Sequence, residues 1–519
     1  MPSHTKSQPR PTAALTRVTQ GYLALMCSVV LLLPALSGYE ALGRCSFFVC
    51  TGISLAYLVV LLLAALELAI TGQCPLSVQL APLAKCSTAR ICFLLYGIWC
   101  ILSAVCSPYD RVWLGSSRYE GLCFLLLCLL IYWTVSSYGR WNTWLAYLLG
   151  TVVLINLGLA LAQYAGFNPL HLFPPDVTFH DAFVLYNGRF LGTLGNVDLL
   201  GGFLCLTIPV CYGAFLTSGR TPLLVFLGGG ALLLALADVD AGYVGLAGAL
   251  LLTLPLFYSR SSLWPRGAQA VGILAACLGL GKLLYADREQ PLTLIVSPVS
   301  ALLLVGGIAL SLVGLLLARH NPIPPLQQPP SKLLFHCLTM GIAVLAALGL
   351  ACVSLIPFSS GPLYELNQIL HGNLDPTFGS GRVRIWQEVI RLIGEHPLLG
   401  GGPDTLAQRI TFTFSRYVPE VGTTIEAYVD SAHNEFLNIA ANLGLPALGF
   451  YLAGLVCWLR SLRRHLSPAV LVLLSGTVGY LIQICFTVSC AALTTLFWIF
   501  LALCEADINS QTAKEDIST

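Results

Sequence analysis

Long apolar stretches recur from one end of the chain to the other. Fourteen of them approach the length that a helix needs to cross a bilayer, which is about 20 residues. Only 10% of the 519 residues are charged and 56% are hydrophobic, whereas a soluble domain carries about 25% charged residues. The pattern predicts an all-α polytopic integral membrane protein with about 12–14 transmembrane helices, and no nucleic-acid partner is expected. The predicted spans are residues 20–38, 47–70, 88–107, 120–137, 143–165, 193–217, 221–237, 241–258, 267–284, 296–317, 333–358, 434–458, 467–486 and 490–505.

The basic residues favour one orientation of these spans. If the N-terminus is cytoplasmic, the predicted cytoplasmic segments hold 15 of the 26 Lys and Arg residues, and five of the other 11 lie in one long loop. Long loops escape the positive-inside rule, so the comparison that matters is 15 against 6. The acidic residues show the opposite distribution, with 19 of 24 outside. We therefore expect both termini in the cytoplasm and the polar chemistry on the external face.

Two predicted external segments, residues 166–192 and 359–433, are too long to be turns. Long ordered loops are usually functional. Within the second, RVRIWQEVIRLIGEH (382–396) has apolar residues at helical spacing among charges, which predicts an amphipathic helix lying along the membrane surface. We expect residues 1–519 to form a single multi-span membrane domain that carries these two loops.

The stretch DSAHNEFLNIAANLG, residues 430–444, places polar side chains at the start of an otherwise apolar helix. Asp430 or Ser431 is expected to cap a helix that begins near Ala432. His433 would then lie in the first turn, where the positive end of the helix dipole disfavours a second proton on the imidazole. A neutral imidazole is the form that a general base requires. Alternatively, these polar residues only mark where the helix leaves the membrane.

Two stretches place arginine beside glycine at a predicted membrane boundary. YNGRFLGTLGNVDLLGGF (186–203) has Arg189 immediately before a span and Asn196 within its first turns, and GRVRIWQ contains Arg382 and Arg384. A guanidinium group binds phosphate oxygens through paired hydrogen bonds. The alternatives are a snorkelling arginine for the first stretch and a solvated helix face for the second.

A third predicted external segment, SPYDRVWLGSSRYEGL (107–122), mixes charges of both signs. Its charged residues are Asp110, Arg111, Arg118 and Glu120. The segment is either a simple ion-pair loop or a further part of one polar site.

Taken together, these stretches resemble the O-antigen ligase and polymerase superfamily of bacterial membrane glycosyltransferases. The resemblance runs through GRFLGTLGNVDLLGGFL, GSGRVRIWQEVIRLIGEHPLLGGGPDTL and SAHNEFLNIAANLGLPALGFYLAG, while WLGSSRYEGL is similar to a loop of Gram-positive members. It covers about residues 110–519. One departure is Ala447, which stands where the family often has the second glycine of its histidine helix.

The resemblance implies transfer of a glycan from an undecaprenyl-diphosphate carrier to an acceptor hydroxyl, on the external face of the cytoplasmic membrane of a bacterium. Carried over by motif, Arg189 and Arg382 hold the diphosphate and His433 activates the acceptor. The acceptor is a glycan, a lipid, a protein or a wall polymer, so the resemblance covers both ligases and polymerases.

Other polar residues of the same motifs are expected to bind substrate, with Arg384 a lesser candidate because it has no clear family equivalent. The expected substrate-binding residues are Arg118, Asn196, Arg384, Asn434 and Glu435. The resemblance also implies transfer without nucleotide or metal, so no cofactor is expected. The 19 cysteines form neither a C-x-x-C pair nor a Cys/His cluster with zinc spacing.

Two other classes of function remain open from the residues alone. A polytopic transporter or flippase for an envelope lipid or glycan precursor would favour charged or broken helices near the bilayer midplane. The predicted spans are instead nearly free of ionisable residues. A non-catalytic scaffold of an envelope complex would not need two arginines and a histidine in family motifs.

Overall fold

The chain folds into a multi-pass bundle of membrane helices. The computed structural model describes residues 13–172, 192–285, 293–294, 296–320, 329–418, 423–463 and 465–518. Within these residues eleven helices are long and apolar enough to cross a membrane. Three shorter apolar helices coincide with the remaining predicted spans, so the predicted all-α membrane fold is confirmed.

The helices and strands follow the predicted spans in order. The helices are α1 (Ala13–Met26), α2 (Val29–Leu32), α3 (Tyr39–Ile70), α4 (Leu76–Ala84), α5 (Thr88–Val105), α6 (Leu122–Tyr138), α7 (Thr143–Tyr164), α8 (Val197–Ser218), α9 (Pro222–Ala237), α10 (Asp240–Tyr258), α11 (Trp264–Leu283), α12 (Pro298–His320), α13 (Lys332–Leu355), α14 (Gly361–Leu370), α15 (Arg382–Glu395), α16 (Leu406–Arg409), α17 (Glu435–Leu443), α18 (Leu445–Leu462), α19 (Pro468–Gln483) and α20 (Ala491–Ser518). Two antiparallel hairpins pair β1 (Leu284–Tyr285) with β2 (Thr293–Leu294) and β3 (Thr413–Val418) with β4 (Thr423–Tyr428).

Helix α8 forms the centre of the bundle. Every residue from Leu199 to Thr217 is buried, as expected for a helix that is apolar on all sides. It packs against α7, α9, α10 and α19. On α19, Gly476 and Gly479 face carbonyl groups of α8, and a side chain at either position would meet that backbone. Small residues allow this close approach between membrane helices, so the N-terminus of α8 is held at a fixed place.

Helix α13 lies at the periphery. None of its residues is buried, although the helix is apolar along its length. Its contacts are mainly with α10 and with the short helix α14. An apolar helix of this length with no buried residue turns most of its surface to lipid.

The amphipathic helix predicted at 382–396 is present as α15, which spans Arg382–Glu395. Its apolar residues Ile385, Val389 and Leu392 are buried in a small separate core. The residues that cover them come from later parts of the same loop and from α17, the helix that follows it. Protein rather than lipid therefore covers this face, and the expectation that the helix lies along the membrane surface is wrong.

The span predicted at 434–458 is not one helix but two, α17 and α18. The chain breaks at Gly444, whose φ is +88°, a left-handed conformation that favours glycine. A Cβ atom at this position would overlap the carbonyl oxygen of Leu398. The apolar run continues through the break, which is why the sequence pattern did not reveal it.

Substituting Gly444 by alanine should lower the free energy of unfolding, by about 1–3 kcal/mol for the strained φ and more for the overlap with Leu398. Gly449→Ala is the matched control on α18, because nothing lies within 4 Å of a Cβ atom there. Alanine should stabilise that helix position by about 0.5–1 kcal/mol. Thermal unfolding in detergent measures both variants. Equal melting temperatures for the two would contradict the break.

Candidate active site

His433 adopts a strained backbone conformation just before α17. Its φ is +47°, which a residue with a side chain adopts only at a cost of roughly 1–3 kcal/mol. Helix α17 begins two residues later, and its cap is Asn434, whose Oδ1 accepts the Leu437 N–H at 3.0 Å. The expectation that Asp430 or Ser431 caps this helix is therefore wrong, because the positive φ of His433 delays the helix.

The imidazole of His433 is neutral at physiological pH. Burial, as the largest cause, and the charges of Arg382 and Arg118 lower its pKa to about 4, and the charge of Asp430 opposes this shift. The main cause is thus burial rather than the helix dipole that the sequence suggested. Nδ1 is buried and has no hydrogen-bond partner among the described residues. The ring is therefore neutral, and its Nδ1 has no described partner that would keep it from acting in general-base catalysis.

Two residues hold the backbone on either side of His433. The indole N–H of Trp386, on α15, donates to the Ala432 carbonyl at 3.0 Å. The side-chain amide of Asn434 donates to the Cys485 carbonyl at 2.9 Å. Neighbouring structure that fixes a strained residue in this way is typical of functional sites. Asn434 thus positions His433 through the backbone.

Arg382, the first residue of α15, presents its guanidinium group beside α8. Nε donates to the Phe486 carbonyl at 2.7 Å and Nη1 donates to the Gly379 carbonyl at 2.8 Å. Nη2 lies 3.8 Å from Oδ2 of Asp198. This separation exceeds a hydrogen-bond distance, so Nη2 keeps donor capacity for a further oxygen.

Asp198 and Asn196 lie at the N-terminus of α8. Oδ1 of Asn196 caps the helix by accepting the Asp198 N–H at 2.7 Å. Gln483 of α19 donates to the Asp198 carbonyl at 3.0 Å. Asn196 therefore has a clear structural role, and its predicted contact with substrate stays a prediction.

Most of the predicted loop 166–192 lies outside the described residues. The described part includes a short 3₁₀ turn, Pro169–His171. Arg189 falls within the remainder, so its convergence with Arg382 stays a prediction.

Arg118 reaches the histidine segment from the other end of the chain. Its Nη2 donates to Oδ1 of Asp430 at 2.8 Å. The Arg118 backbone is held by Asp404, whose Oδ2 accepts the N–H groups of Ser116 at 2.7 Å, Ser117 at 3.2 Å and Arg118 at 3.2 Å. The segment 107–122 is therefore not an isolated ion-pair loop.

Arg384 points to a different part of the loop. Its guanidinium carbon lies 4.4 Å from the centre of the Phe412 ring and 5.7 Å from that of Phe414. The side chain is exposed. This cation–π stack holds the β3–β4 hairpin against α15, and the predicted binding of substrate by Arg384 stays a prediction.

Two carboxyl groups lie close enough to influence each other's ionisation. Burial, as the largest cause, and the charge of Asp404 raise the pKa of Glu120 to about 7, and Arg118 opposes the shift. Burial and the charge of Glu120 also raise the pKa of Glu435. Thr494 donates to Oε1 of Glu120 at 3.3 Å. Neither acid is therefore a simple surface charge at neutral pH.

The structure brings together residues from four distant segments. The charges of Arg382 and Arg118 lower the pKa of His433, and Arg382 faces Asp198. The sequence patterns missed Asp404, and they missed Trp386 and Asp430 as partners of other site residues. The R-x-x-x-W spacing in α15 was a sequence signal for Trp386. Asp404 had no such signal, because its partners are backbone amides rather than particular side chains. Positive groups beside a neutral imidazole can hold an anion while a proton is removed next to it.

Comparison with known proteins gives a match to one family model over part of the chain. Residues 290–452 match the family model described as O-antigen ligase. The matched region contains Arg382 and His433, while Arg118 and Arg189 precede it. No curated protein matches the chain. The match supports the O-antigen ligase superfamily and a membrane glycosyltransferase-like role, as the motifs predicted.

The raised pKa of Glu120 makes stability depend on pH. Between about pH 4.5 and about 7 the folded protein retains a proton that the unfolded chain releases, so the free energy of unfolding falls as pH rises through this range. Each pKa unit corresponds to about 1.4 kcal/mol. Glu120→Gln should reduce this fall, measured as melting temperatures in detergent at about pH 5 and about pH 8.

Glu388→Gln serves as the control, because a hydrogen bond from Arg391 lowers the pKa of Glu388. The contribution of such a group is constant above the unfolded-state pKa, so this variant should keep the wild-type difference. An unchanged difference in Glu120→Gln would exclude Glu120 as its source.

Proposed function

Since the chain carries a region that matches the O-antigen ligase family, we propose that it transfers a glycan from an undecaprenyl-diphosphate carrier to an acceptor hydroxyl. The observation that carries this proposal is a neutral imidazole, on His433, whose pKa is lowered by burial and by two arginines. Its Nδ1 has no partner among the described residues. A base and cationic groups at one place are what this reaction needs.

The arginines would hold the leaving group. Arg382 has donor capacity left on Nη2, and Arg189 is its proposed partner on the same diphosphate. Arg118 adds a second described guanidinium near His433. These groups supply the positive charge that a metal ion would otherwise provide, so we expect transfer without metal or other cofactor.

In the proposed transfer step, every bond that forms is matched by a bond that breaks, and the proton has an acceptor. The acceptor oxygen attacks the anomeric carbon of the glycan, and the carbon–oxygen bond to the diphosphate breaks with its electron pair passing to the diphosphate oxygen. The hydroxyl proton passes to His433 and from there to water. The developing charge on the diphosphate is stabilised by the arginines, which is the usual large electrostatic contribution to such a step.

The site is proposed to face the exterior of a bacterial cytoplasmic membrane, with both termini in the cytoplasm. The excess of basic residues in the opposite loops supports this orientation. The acceptor is a glycan, a lipid, a protein or a wall polymer, which makes the chain a ligase or a polymerase. Asn434 and Glu435 are proposed to orient His433 or the acceptor.

Replacing His433 by alanine should lower the rate of glycan transfer by about 10²–10⁴-fold, the usual contribution of a positioned base. Donor binding should persist, because the arginines remain. The measurement is transfer from a purified lipid-diphosphate donor, together with donor binding. His396 is an exposed histidine at the end of α15. His396→Ala is therefore the control and should retain activity. Normal transfer by His433→Ala would assign the base elsewhere, and Glu435 is the next candidate.

In the wild type, the rate of glycan transfer should fall as pH drops towards about 4, where His433 gains a proton.

Replacing Arg382 by lysine should reduce kcat/KM for the donor by roughly 10–100-fold, because an ammonium cannot make all the hydrogen bonds of the guanidinium group. Arg391→Lys is the matched control on the same helix. Arg391 is exposed and pairs with Glu388 and Glu395, so its substitution should leave transfer unchanged. Equal activity of both variants would remove Arg382 from donor binding.

A further inference from the structure

Helix α14 carries an apolar face that the described residues leave partly exposed. Leu363, Leu366 and Leu370 follow the i, i+3, i+7 spacing of one helix face, and they are 48%, 37% and 46% exposed. Ile369, beside them, is 40% exposed. The only buried residue of the helix is Asn367. The contrast with α15 is direct, because the apolar face of α15 is packed into the loop's own core.

The position of α14 is fixed by the end of the membrane helix α13. The side chain of Asn367 donates to the carbonyl groups of Val353 at 2.7 Å, Ser354 at 3.2 Å and Ile356 at 3.3 Å. These carbonyls belong to the last turn of α13 and the residue that follows it. Such carbonyl groups have no partner within their own helix. Asn367 therefore locks α14 at the depth where α13 leaves the bilayer.

The exposed apolar surface continues from one helix to the other. Leu355, the last residue of α13, is 82% exposed, and Ile356 is 49% exposed. Both lie between the lipid-facing side chains of α13 and the leucines of α14. The one charged residue of α14 is Glu365. An apolar stripe that joins a lipid-facing span at the membrane boundary has one natural occupant, the lipid of that leaflet.

We propose that α14 lies in the head-group region of the leaflet where α13 ends, with Leu363, Leu366 and Leu370 inserted among the acyl chains. The membrane-surface helix of the loop is thus α14 rather than the α15 helix indicated by the sequence pattern. The partner of this surface is the lipid bilayer itself.

Hydrogen bonds connect α14 to the proposed donor-binding arginine. Oε2 of Glu365 accepts the Gly379 N–H at 2.8 Å, and the Gly379 carbonyl accepts from Nη1 of Arg382 at 2.8 Å. The rings of Tyr364 and Phe378 pack edge to face, with centroids 6.0 Å apart. The depth of α14 in the leaflet therefore sets the depth of Arg382. This second step rests on the proposed function, in which Arg382 meets a diphosphate that its lipid tail keeps at head-group level.

Depth can be measured without any activity. The full-length chain, with its native cysteines replaced, carries a nitroxide at one introduced cysteine in vesicles of phosphatidylethanolamine and phosphatidylglycerol. At Leu366 and at Leu370 the label should be accessible to oxygen and shielded from a water-soluble nickel chelate. Leu348 of α13 is the lipid reference and Gln387, exposed on α15, is the water reference. Labels at Leu366 and Leu370 that behave like the one at Gln387 would overturn the proposal.

The link to the donor has its own test. Leu366→Gln should lower transfer from a long-chain lipid-diphosphate donor in vesicles by about tenfold, because a polar side chain weakens insertion. It should leave transfer from a water-soluble, short-chain donor unchanged. Ile390→Gln is the control, since Ile390 is an exposed apolar residue of α15 and should not distinguish the donors. Equal losses with both donors would contradict the coupling. Failure of the proposed function would appear differently, as wild-type protein that transfers from neither donor while the depth measurements still hold.

Discussion

The carboxylate of Asp404 joins the two halves of the chain at the site. Its Oδ2 accepts backbone N–H groups of Ser116 and Arg118, which are 288 and 286 positions away in the sequence. Together with the bonds from Ser107 to the Gly401 carbonyl and from Gln408 to the Asp110 carbonyl, it holds the segment 107–122 where Arg118 meets Asp430. Hydrogen bonds from amides to an ionised carboxylate are stronger than neutral ones, and more so away from bulk water. The site is thus assembled by tertiary structure, although each motif that contributes to it is local in the sequence.

Burial and charge act together to separate the ionisation of neighbouring groups. Burial is the largest cause both of the lowered pKa of His433, about 4, and of the raised pKa of Glu120, about 7. Burial disfavours whichever form is charged, so it leaves a histidine neutral and a carboxylic acid protonated. Arg382 and Arg118 reinforce the first effect, and Arg118 opposes the second. The groups around Arg118 therefore include both a neutral imidazole and a carboxyl group of raised pKa, and perturbed pKa values of this kind are typical of active sites.

The sequence predicted the features that depend on composition and spacing. All fourteen spans were readable as apolar runs, and the helical spacing of residues 382–396 located α15. The break at Gly444 could not be predicted from the sequence, because it depends on the close approach of Leu398, a residue of the preceding loop. The membrane-surface assignment of α15 failed for the same reason, since periodicity identifies an apolar face but not what covers it. Among the candidate site residues, the motifs selected His433 and Arg382, and the charge of Arg382 acts on His433 in the structure. The catalytic roles of both residues, and the position of Arg189, stay predictions.

The complete burial of α8 has a consequence for how the protein is made. The helix is surrounded by neighbours that include α19, and its carbonyl groups lie against Gly476 and Gly479 of that helix. Synthesis proceeds from the N-terminus, so α8 enters the membrane long before α19 exists. During that interval its future contact surface must face lipid or the insertion machinery. The bundle therefore closes only after the last spans have been released, and truncation near the C-terminus would leave the central helix without its partner.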